Sequence, residues 1–377
     1  MISFILSKNG HFASLRCPAD EADIEYVQHK LEIADPLDTV VKVTTVNTDI
    51  PELKVLEDQD ADMDFLNLLG RFMYGLDAHE YKQLQAGLFH DKCTELKDII
   101  NVAANAHRYS VIDTNDLRRS GLEYELDLRG AIPTDEVNST DYIKIANDLI
   151  NSGTCKESPY GLIHVNEDLY CNEFFDGEHM PPYFDRMYVA ACTLENKNGN
   201  EFVMLPVKDR EIERALKRLG ADSAGSVDVV LEETTAGVDD EVEEMMRSSD
   251  VFTINRFSKA FDKLKGDETD HLYAAAECVK AAAEINIDLN KLADIAENLD
   301  AFTFYPNALS SDEIGMTLLE EHQVPEDLWD YFDTERCGED FIAKEQGRFT
   351  SRGYVGVNDF DTVQKLIGFD QSMGGMV

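Results

Sequence analysis

Carboxylates are the side chains of this sequence best placed to do chemistry: 75 Asp and Glu stand against 34 Lys and Arg, a formal net charge of −41 on 377 residues. Closely spaced acids can ligate calcium, form a general acid–base pair, or present a row of negative charge. Asp58-Gln59-Asp60-Ala61-Asp62-Met63-Asp64 alternates acids like the opening of a calcium loop. Such a loop needs glycine at its sixth position and a bidentate acid at its twelfth, where this chain has Met63 and Leu69. The segment therefore reads as a solvated acidic linker that begins a helix, whose dipole favours acids. Asp239-Asp240-Glu241-Val242-Glu243-Glu244 is a second acidic run. A helix rises ~1.5 Å per residue, and duplex DNA carries one charge per roughly 1.7 Å of axis. Acids on rigid helices can thus approximate the phosphate spacing that a DNA-binding groove expects.

Other chemistry is not written in the chain. Nine histidines are scattered without HExxH or another ligand spacing. No GxSxG, Walker loop or dinucleotide fingerprint occurs, and no pair among the 75 acids stands out as a glycosidase dyad. The expectation is no catalytic residue, no metal and no cofactor. Cys17, Cys93, Cys155, Cys171, Cys192, Cys278 and Cys337 lie far apart with no CxxC, as reduced thiols of a cytoplasmic protein would. The N-terminus lacks a signal-like leader, and no apolar run approaches the ~18 residues of a membrane span. Basic patches with interleaved aromatics are absent, so the charge excludes direct nucleic-acid and anionic-membrane binding.

The elements that must carry these acids are written twice. Gly353-Tyr354-Val355-Gly356-Val357-Asn358-Asp359 repeats Gly161-Leu162-Ile163-His164-Val165-Asn166-Glu167 at an offset of 192. Pro133 and Pro325, Asp141 and Asp333, and Asp148 and Asp340 share that offset, while Pro18 and Pro206, Leu66 and Ile254, and Asn67 and Asn255 stand 188 apart. The reading is two homologous α+β units, 1–185 and 186–362, with a tail at 363–377. Each unit opens with a hairpin, a proline-led helix and a further strand: Ile2 to Leu6 with Phe12 to Cys17, Pro18 to Leu31 and Thr39 to Val46; then Met187 to Leu194 with Glu201 to Leu205, Pro206 to Leu219 and Ser226 to Leu231. These form small antiparallel sheet lobes at about 1–57 and 186–236. Helical lobes follow at about 58–108 and 237–300, and mixed α/β lobes at about 109–185 and 301–362. The elongated, multi-lobed chain divides its charge evenly. Up to Arg186 there are 35 acids and 16 bases, a net of −19; beyond it 40 and 18, a net of −22.

The most informative local stretch runs from Ser310 to Val357. Ser310 and Glu313 can form a capping box. Leu318-Leu319-Glu320-Glu321 ends that helix, and Val324-Pro325-Glu326-Asp327 opens another. Leu328, Tyr331 and Phe332 recur at i, i+3, i+4, giving the second helix a buried or interfacial stripe. Asp333, Glu339-Asp340-Phe341 and the strand Gly353-Tyr354-Val355 follow. With Gly315, this cadence resembles the ArdA family of antirestriction proteins. Weaker similarity reaches back through Ala301-Phe302-Thr303-Phe304 to Leu205-Pro206, covering most of 187–362. The first unit departs at the diagnostic place, where Asp141-Tyr142 stands without a Tyr-Phe-Asp triplet. Family members are usually about half this length, so a tandem duplication is itself a departure.

The resemblance implies an acidic, three-lobed protein that imitates bent B-form DNA and occupies the groove of type I restriction–modification enzymes, acting as a dimer through the motif region. The expected partners are DNA-binding subunits of such an enzyme or of another defence enzyme. The expected assembly is a pseudo-dimer within one chain, with further self-association open. Leu318, Leu319, Glu320, Glu321, Pro325, Leu328, Tyr331, Phe332, Asp333, Glu339 and Asp340 match the antirestriction motif. The candidate phosphate-mimicking acids are Asp58, Asp60, Asp62, Asp64, Asp239, Asp240, Glu241, Glu243, Glu244, Asp312, Glu313, Glu326, Asp327 and Asp330. Rival readings are an acidic inhibitor of a different nucleic-acid-handling enzyme such as a CRISPR nuclease, an enzyme of unknown chemistry with an acidic surface, and adaptation to high salt.

Overall fold

The computed structural model describes residues 2–366 except 267, 284 and 346. Packing divides the chain into two units. The first is Met1–Asp185 with Gly199–Glu201 and Glu213–Leu219; the second is Arg186–Asn198, Phe202–Ile212 and Gly220–Val377. The fold is α+β.

β1 (Ile2–Lys8) and β2 (His11–Cys17) form the expected hairpin around Asn9-Gly10, at φ of 53° and 82°. Asn-Gly suits that left-handed two-residue turn, which matches strand twist. Asp20 makes a capping box with Asp23 and starts α1 (Glu21–Lys30). β3 (Val40–Asn47) pairs with β1, and β4 (Asp60–Asp62) with β3, giving the order β2-β1-β3-β4. The acidic stretch is therefore partly a strand rather than a solvated linker, because Val40 to Lys42 take up its backbone. Asp62 then caps α2 (Met63–Gly75), followed by α3 (Ala78–Asp91) and α4 (Leu96–Ala104). One apolar core runs from Phe4 and Leu6 through Leu66 and Leu69 to Ile99, Tyr109, Ile163 and Phe175.

β5 (Tyr109–Ile112), α5 (Leu117–Arg129), α6 (Thr134–Val137), α7 (Tyr142–Asn151), β6 (Lys156–Ser158) and β7 (Gly161–Val165) complete the regular structure of the first unit, with sheet order β5-β7-β6. Beyond β7 the chain forms an irregular strap. Asn101 and Asn105 hold its backbone at Phe175 and Asn172, Phe175 packs edge-on to Phe65, and Tyr183 stacks on Phe72.

The second half follows a similar order of elements, with a helix in the place of β4. β8 (Ala190–Asn196), β9 (Gly199–Leu205), α8 (Asp209–Arg218) and β10 (Asp228–Thr234) give a sheet ordered β10-β8-β9. α9 (Asp240–Arg247), α10 (Val251–Phe261), α11 (Glu268–Ala283) and α12 (Leu289–Glu297) follow. β11 (Phe302–Pro306), α13 (Ser311–Glu321), α14 (Thr334–Ile342), β12 (Arg348–Thr350) and β13 (Gly353–Val357) form the last sheet, β11-β13-β12, with its helix pair. α15 (Phe360–Leu366) crosses the boundary expected at 362, and the rest of the expected tail lies outside the described residues.

Corresponding positions share more than element type. Asn67 exchanges two hydrogen bonds with the backbone of Ala19, at 2.7 and 2.9 Å, and Asn255 does the same with Val207, at 2.9 and 3.0 Å. Both pairs are 48 residues apart. In α5, a Cβ on Gly121 would lie 2.0 Å from Tyr142 O; in α13, a Cβ on Gly315 would lie 1.9 Å from Thr334 O. Each glycine lets two helices cross with their backbones touching.

Candidate functional site

The acids of the segment 312–340 lie on and around three short helical elements. α13 begins at Ser310, whose hydroxyl accepts from the Glu313 N–H while Glu313 accepts from the Leu309 N–H and the Ser310 hydroxyl. Glu313 is thus a half-buried capping group rather than a free surface charge. α14 is capped by Asp333, which accepts from the Arg336 N–H. Gly338 brings α14 against α13: a Cβ there would sit 1.8 Å from Ser311 O. Beneath them Tyr305, Ala308, Ile314 and Tyr354 form a small core, joined by Leu318, Phe341 and Ile342.

Eleven carboxylates fall between 312 and 340 against one arginine, Arg336. Ten are exposed: Asp312, Glu320, Glu321, Glu326, Asp327, Asp330, Asp333, Glu335, Glu339 and Asp340. Leu319 is buried, Leu318 half-buried and Pro325 exposed. In the matching stretch of the first unit, 120–148, only Asp135, Asp141 and Asp148 are exposed acids. The difference is local to this segment: ten exposed acids stand here against three in the corresponding stretch.

The stripe Leu328, Tyr331 and Phe332 is not core in this chain. These side chains are 43%, 83% and 45% exposed. Residues Glu326–Tyr331 form a 3-10 helix rather than an α-helix, with Pro325 before it and the Trp329 indole N–H donating to Val324 O at 2.9 Å. With about three residues per turn, the i, i+4 alignment fails. The first unit has Ser139 and Thr140 where the second has Tyr331 and Phe332, at the 192-residue offset.

The remaining candidate acids separate by environment. Asp240, Glu241 and Glu244 are exposed along α9, whose Val242 and Met246 face inward. Glu243 is half-buried and accepts from Thr234, and Asp239 is held by Arg352. Asp58 and Asp60 are exposed. Asp64 is not: at 8% exposure it binds the chain's own arginines and cannot present charge to a partner. Asp62 is half-buried against Thr39, and burial with the neighbouring Asp64 charge pushes its carboxyl up.

The arginines that hold Asp64 were not anticipated. Arg214 donates to Asp64 at 2.9 and 3.1 Å and to Glu21 at 2.8 and 2.6 Å. Arg218 donates to Asp64 at 2.8 Å and to Glu201 at 2.6 and 3.0 Å. All five residues belong to the first packing unit. Two arginines four apart among the buried Ile212, Ala215, Leu216 and Leu219 were the available signal.

His79 offers a pH-dependent contact in the same unit. It lies 3.0 Å from Asp127 and 3.6 Å from Glu123, and the Asp127 hydrogen bond holds its pKa above the ordinary value of 6.5. A raised histidine pKa stabilises the fold fully below about 6.5, and that contribution is lost as pH rises through the folded value. We expect His79→Gln to lower the melting temperature at pH 5.5 more than at pH 8.5, and an NMR titration to place the imidazole above 6.5.

Among the described residues, no group of three or more His, Cys, Asp or Glu side chains is placed to hold a metal. No helix among them is long and apolar enough to cross a membrane. All seven cysteines are free thiols, with burial holding Cys17 and Cys192 up at about 12. Residues 192–356 match the family model described as Antirestriction protein (ArdA). The match takes in the sheet β10-β8-β9, helices α8 to α14 and the closing sheet, and leaves the first half of the chain outside. No curated protein matches the sequence.

Proposed function

We propose that this chain is an antirestriction protein that mimics B-form DNA and blocks a type I restriction–modification enzyme by occupying its DNA groove. The carrying observation is that ten exposed acids on α13, α14 and the turn between them fall inside the segment matching the antirestriction family model. The mechanism needs no catalytic residue. A DNA groove carries Lys and Arg for phosphates, and acids on rigid helices satisfy the same cations. The helices are rigid because glycines seat them backbone to backbone, so the acids arrive already ordered and little entropy is lost on binding. Exposed apolar residues rimmed by acids, Tyr331 above all, suit an interface better than open solvent.

We further propose that the chain arose by tandem duplication and carries both halves of a family dimer in one polypeptide. The two asparagine clasps and the two glycine crossings support this. The partner is then the DNA-binding part of a defence enzyme in the cytoplasm.

The test is displacement of labelled duplex from a type I methyltransferase by the full chain. Displacement should weaken on the order of a hundredfold or more between 50 and 200 mM salt, as phosphate binding does. Neutralising Glu320, Glu321, Asp327 and Asp330 in turn should erode it in steps of roughly 0.2–1 kcal/mol each. Duplex that stays bound at every protein concentration would sink the proposal. Complete loss from a single Asp→Asn change in a folded protein would favour an enzyme instead.

A further inference from the structure

The turn between β12 and β13 is fastened to a distant part of its own unit. Arg352 at its tip donates Nη1 to Asp270 Oδ1 at 2.6 Å and Nη2 to Asp239 Oδ2 at 2.5 Å. Its guanidinium lies 5.0 Å from the ring centroid of Tyr273, within cation–π range. Beside it, the Ser351 N–H and hydroxyl both donate to Glu277, at 2.8 and 2.6 Å. Tyr273 ties the assembly together: its hydroxyl donates to Gly237 O at 2.9 Å and accepts from the Asp239 N–H at 3.2 Å. Two turn residues thus grip α11 and the segment leading into α9.

The first unit has a turn of the same build. Ser158 Oγ donates to Gly161 O at 2.7 Å, as Thr350 Oγ1 donates to Gly353 O at 2.7 Å. Tyr160 N–H donates to the Ser158 hydroxyl and Arg352 N–H to that of Thr350, at 3.1 and 3.3 Å. The closing glycines have φ of 132° and 141°. This tip also reaches back, but by other chemistry: the Tyr160 hydroxyl donates to Glu52 at 2.8 Å. Glu52 lies in the segment that follows β3, as Asp239 lies in the one that follows β10. The same fastening made twice from different side chains is not an accident of one surface ion pair.

We propose that Arg352 is a positioning residue: a latch that fixes the β11-β13-β12 sheet, with its acidic helix pair, at a set distance from the acids of α9. Two carboxylates and a ring converge on one guanidinium, whose rigid planar fork is pre-organised to bridge two acids where an ammonium is not. Without the latch the acids remain but their spacing relaxes. The functional half of this proposal rests on the DNA-mimic reading.

The test uses the full chain as Arg352→Gln, Arg352→Lys and Asp270→Asn, the last removing only one arm. Two measurements are made: hydrogen exchange by mass spectrometry, and displacement of duplex from a type I methyltransferase. In Arg352→Gln, amides at 237–240 and 350–352 should exchange about tenfold faster or more, those of β11 should not change, and displacement should weaken at least fivefold. Arg352→Lys and Asp270→Asn should fall between this variant and wild type in both. Unchanged exchange at 237–240 and 350–352 would overturn the latch. Faster exchange with undiminished displacement would overturn its positioning role. If wild type itself displaces no duplex, the mimic reading fails, the positioning role fails with it, and exchange alone decides whether Arg352 is a latch.

Discussion

Replacing Arg214 with leucine should destabilise the first unit by about 3–5 kcal/mol, the usual cost of stranding a buried charge. Arg214 is 3% exposed, and its four hydrogen bonds go to Glu21 and Asp64, each 8% exposed. Leucine leaves both carboxylates desolvated, and only Asp64 keeps a cation, Arg218, at 2.8 Å. Glu21 then has no listener for its charge within the set. Removing it too, in Glu21→Met with Arg214→Met, should recover about half of the loss or more, because apolar pairs replace buried ion pairs well. Burial would raise the Asp64 pKa, but Arg214 and Arg218 outweigh burial and hold it below the usual 3.8. A depressed carboxylate stabilises the fold above about pH 4, and that stability is lost as pH falls through the folded value. Acid unfolding should therefore begin at higher pH in Arg214→Leu than in wild type. Urea unfolding followed by circular dichroism measures both effects, and a loss under 1 kcal/mol would contradict the first.

The second large effect concerns Gly338. Valine there should cost about 3 kcal/mol and abolish duplex displacement, while leaving the first unit folded. A Cβ would meet Ser311 O at 1.8 Å and Ser311 C at 2.6 Å. These are backbone atoms at the start of α13, so the helices must separate rather than a side chain swing aside. Overpacking of this kind costs roughly 1–3 kcal/mol, occasionally more, and valine's branched Cβ sits at the upper end. Separation also spreads the ten exposed acids of this region. The first unit has the buried Ala146 at the corresponding place, 192 residues earlier. Gly75→Ala is the control, since nothing lies within 4 Å of its added Cβ. It should change stability by no more than about 1 kcal/mol. Hydrogen exchange in α13 and α14 reads the effect directly.

How much of this could be read beforehand follows from the range of the forces involved. The hairpin β1-β2 was legible because Asn-Gly turn chemistry is local; β8-β9 is also a hairpin, but its turn residues are Lys197-Asn198 rather than the expected Asn-Gly, and Gly199 opens β9. The boundaries of α13 and β13 were legible from a Ser-x-x-Glu cap and an alternating apolar run. β5 and β11 were missed because four or five residues carry too little periodicity to separate a strand from a loop. The strap beyond β7 was missed because Asn101 and Asn105 hold its backbone across 67 to 74 residues of sequence. Asp64 was misplaced for a similar reason: an acid in an acidic stretch looks solvated until its arginines, 150 and 154 residues away, are known. Of the two readings of Tyr331 and Phe332, buried or interfacial, exposure removes the first: the spacing rule assumes 3.6 residues per turn, and Glu326–Tyr331 is a tighter 3-10 helix. The acids of the candidate surface were nameable one by one, yet the contrast between 312–340 and the matching 120–148 was not, since burial depends on the partner each acid finds.

The two turns at 158–161 and 350–353 also bear on how such a surface could be remodelled. Each is closed from within, by a hydroxyl on its first residue and a glycine on its last. The tip residue serves the turn through its backbone N–H, and its side chain is left out of the turn's own bonds. Tyrosine fills it in one unit and arginine in the other, and the hairpin is the same. Under the proposed latch, a single codon change at that tip would reset the spacing of the acids and leave the turn's own closing bonds in place. If Arg352 is the latch proposed above, this joint is the kind of place where adaptation to an altered target would leave its mark first.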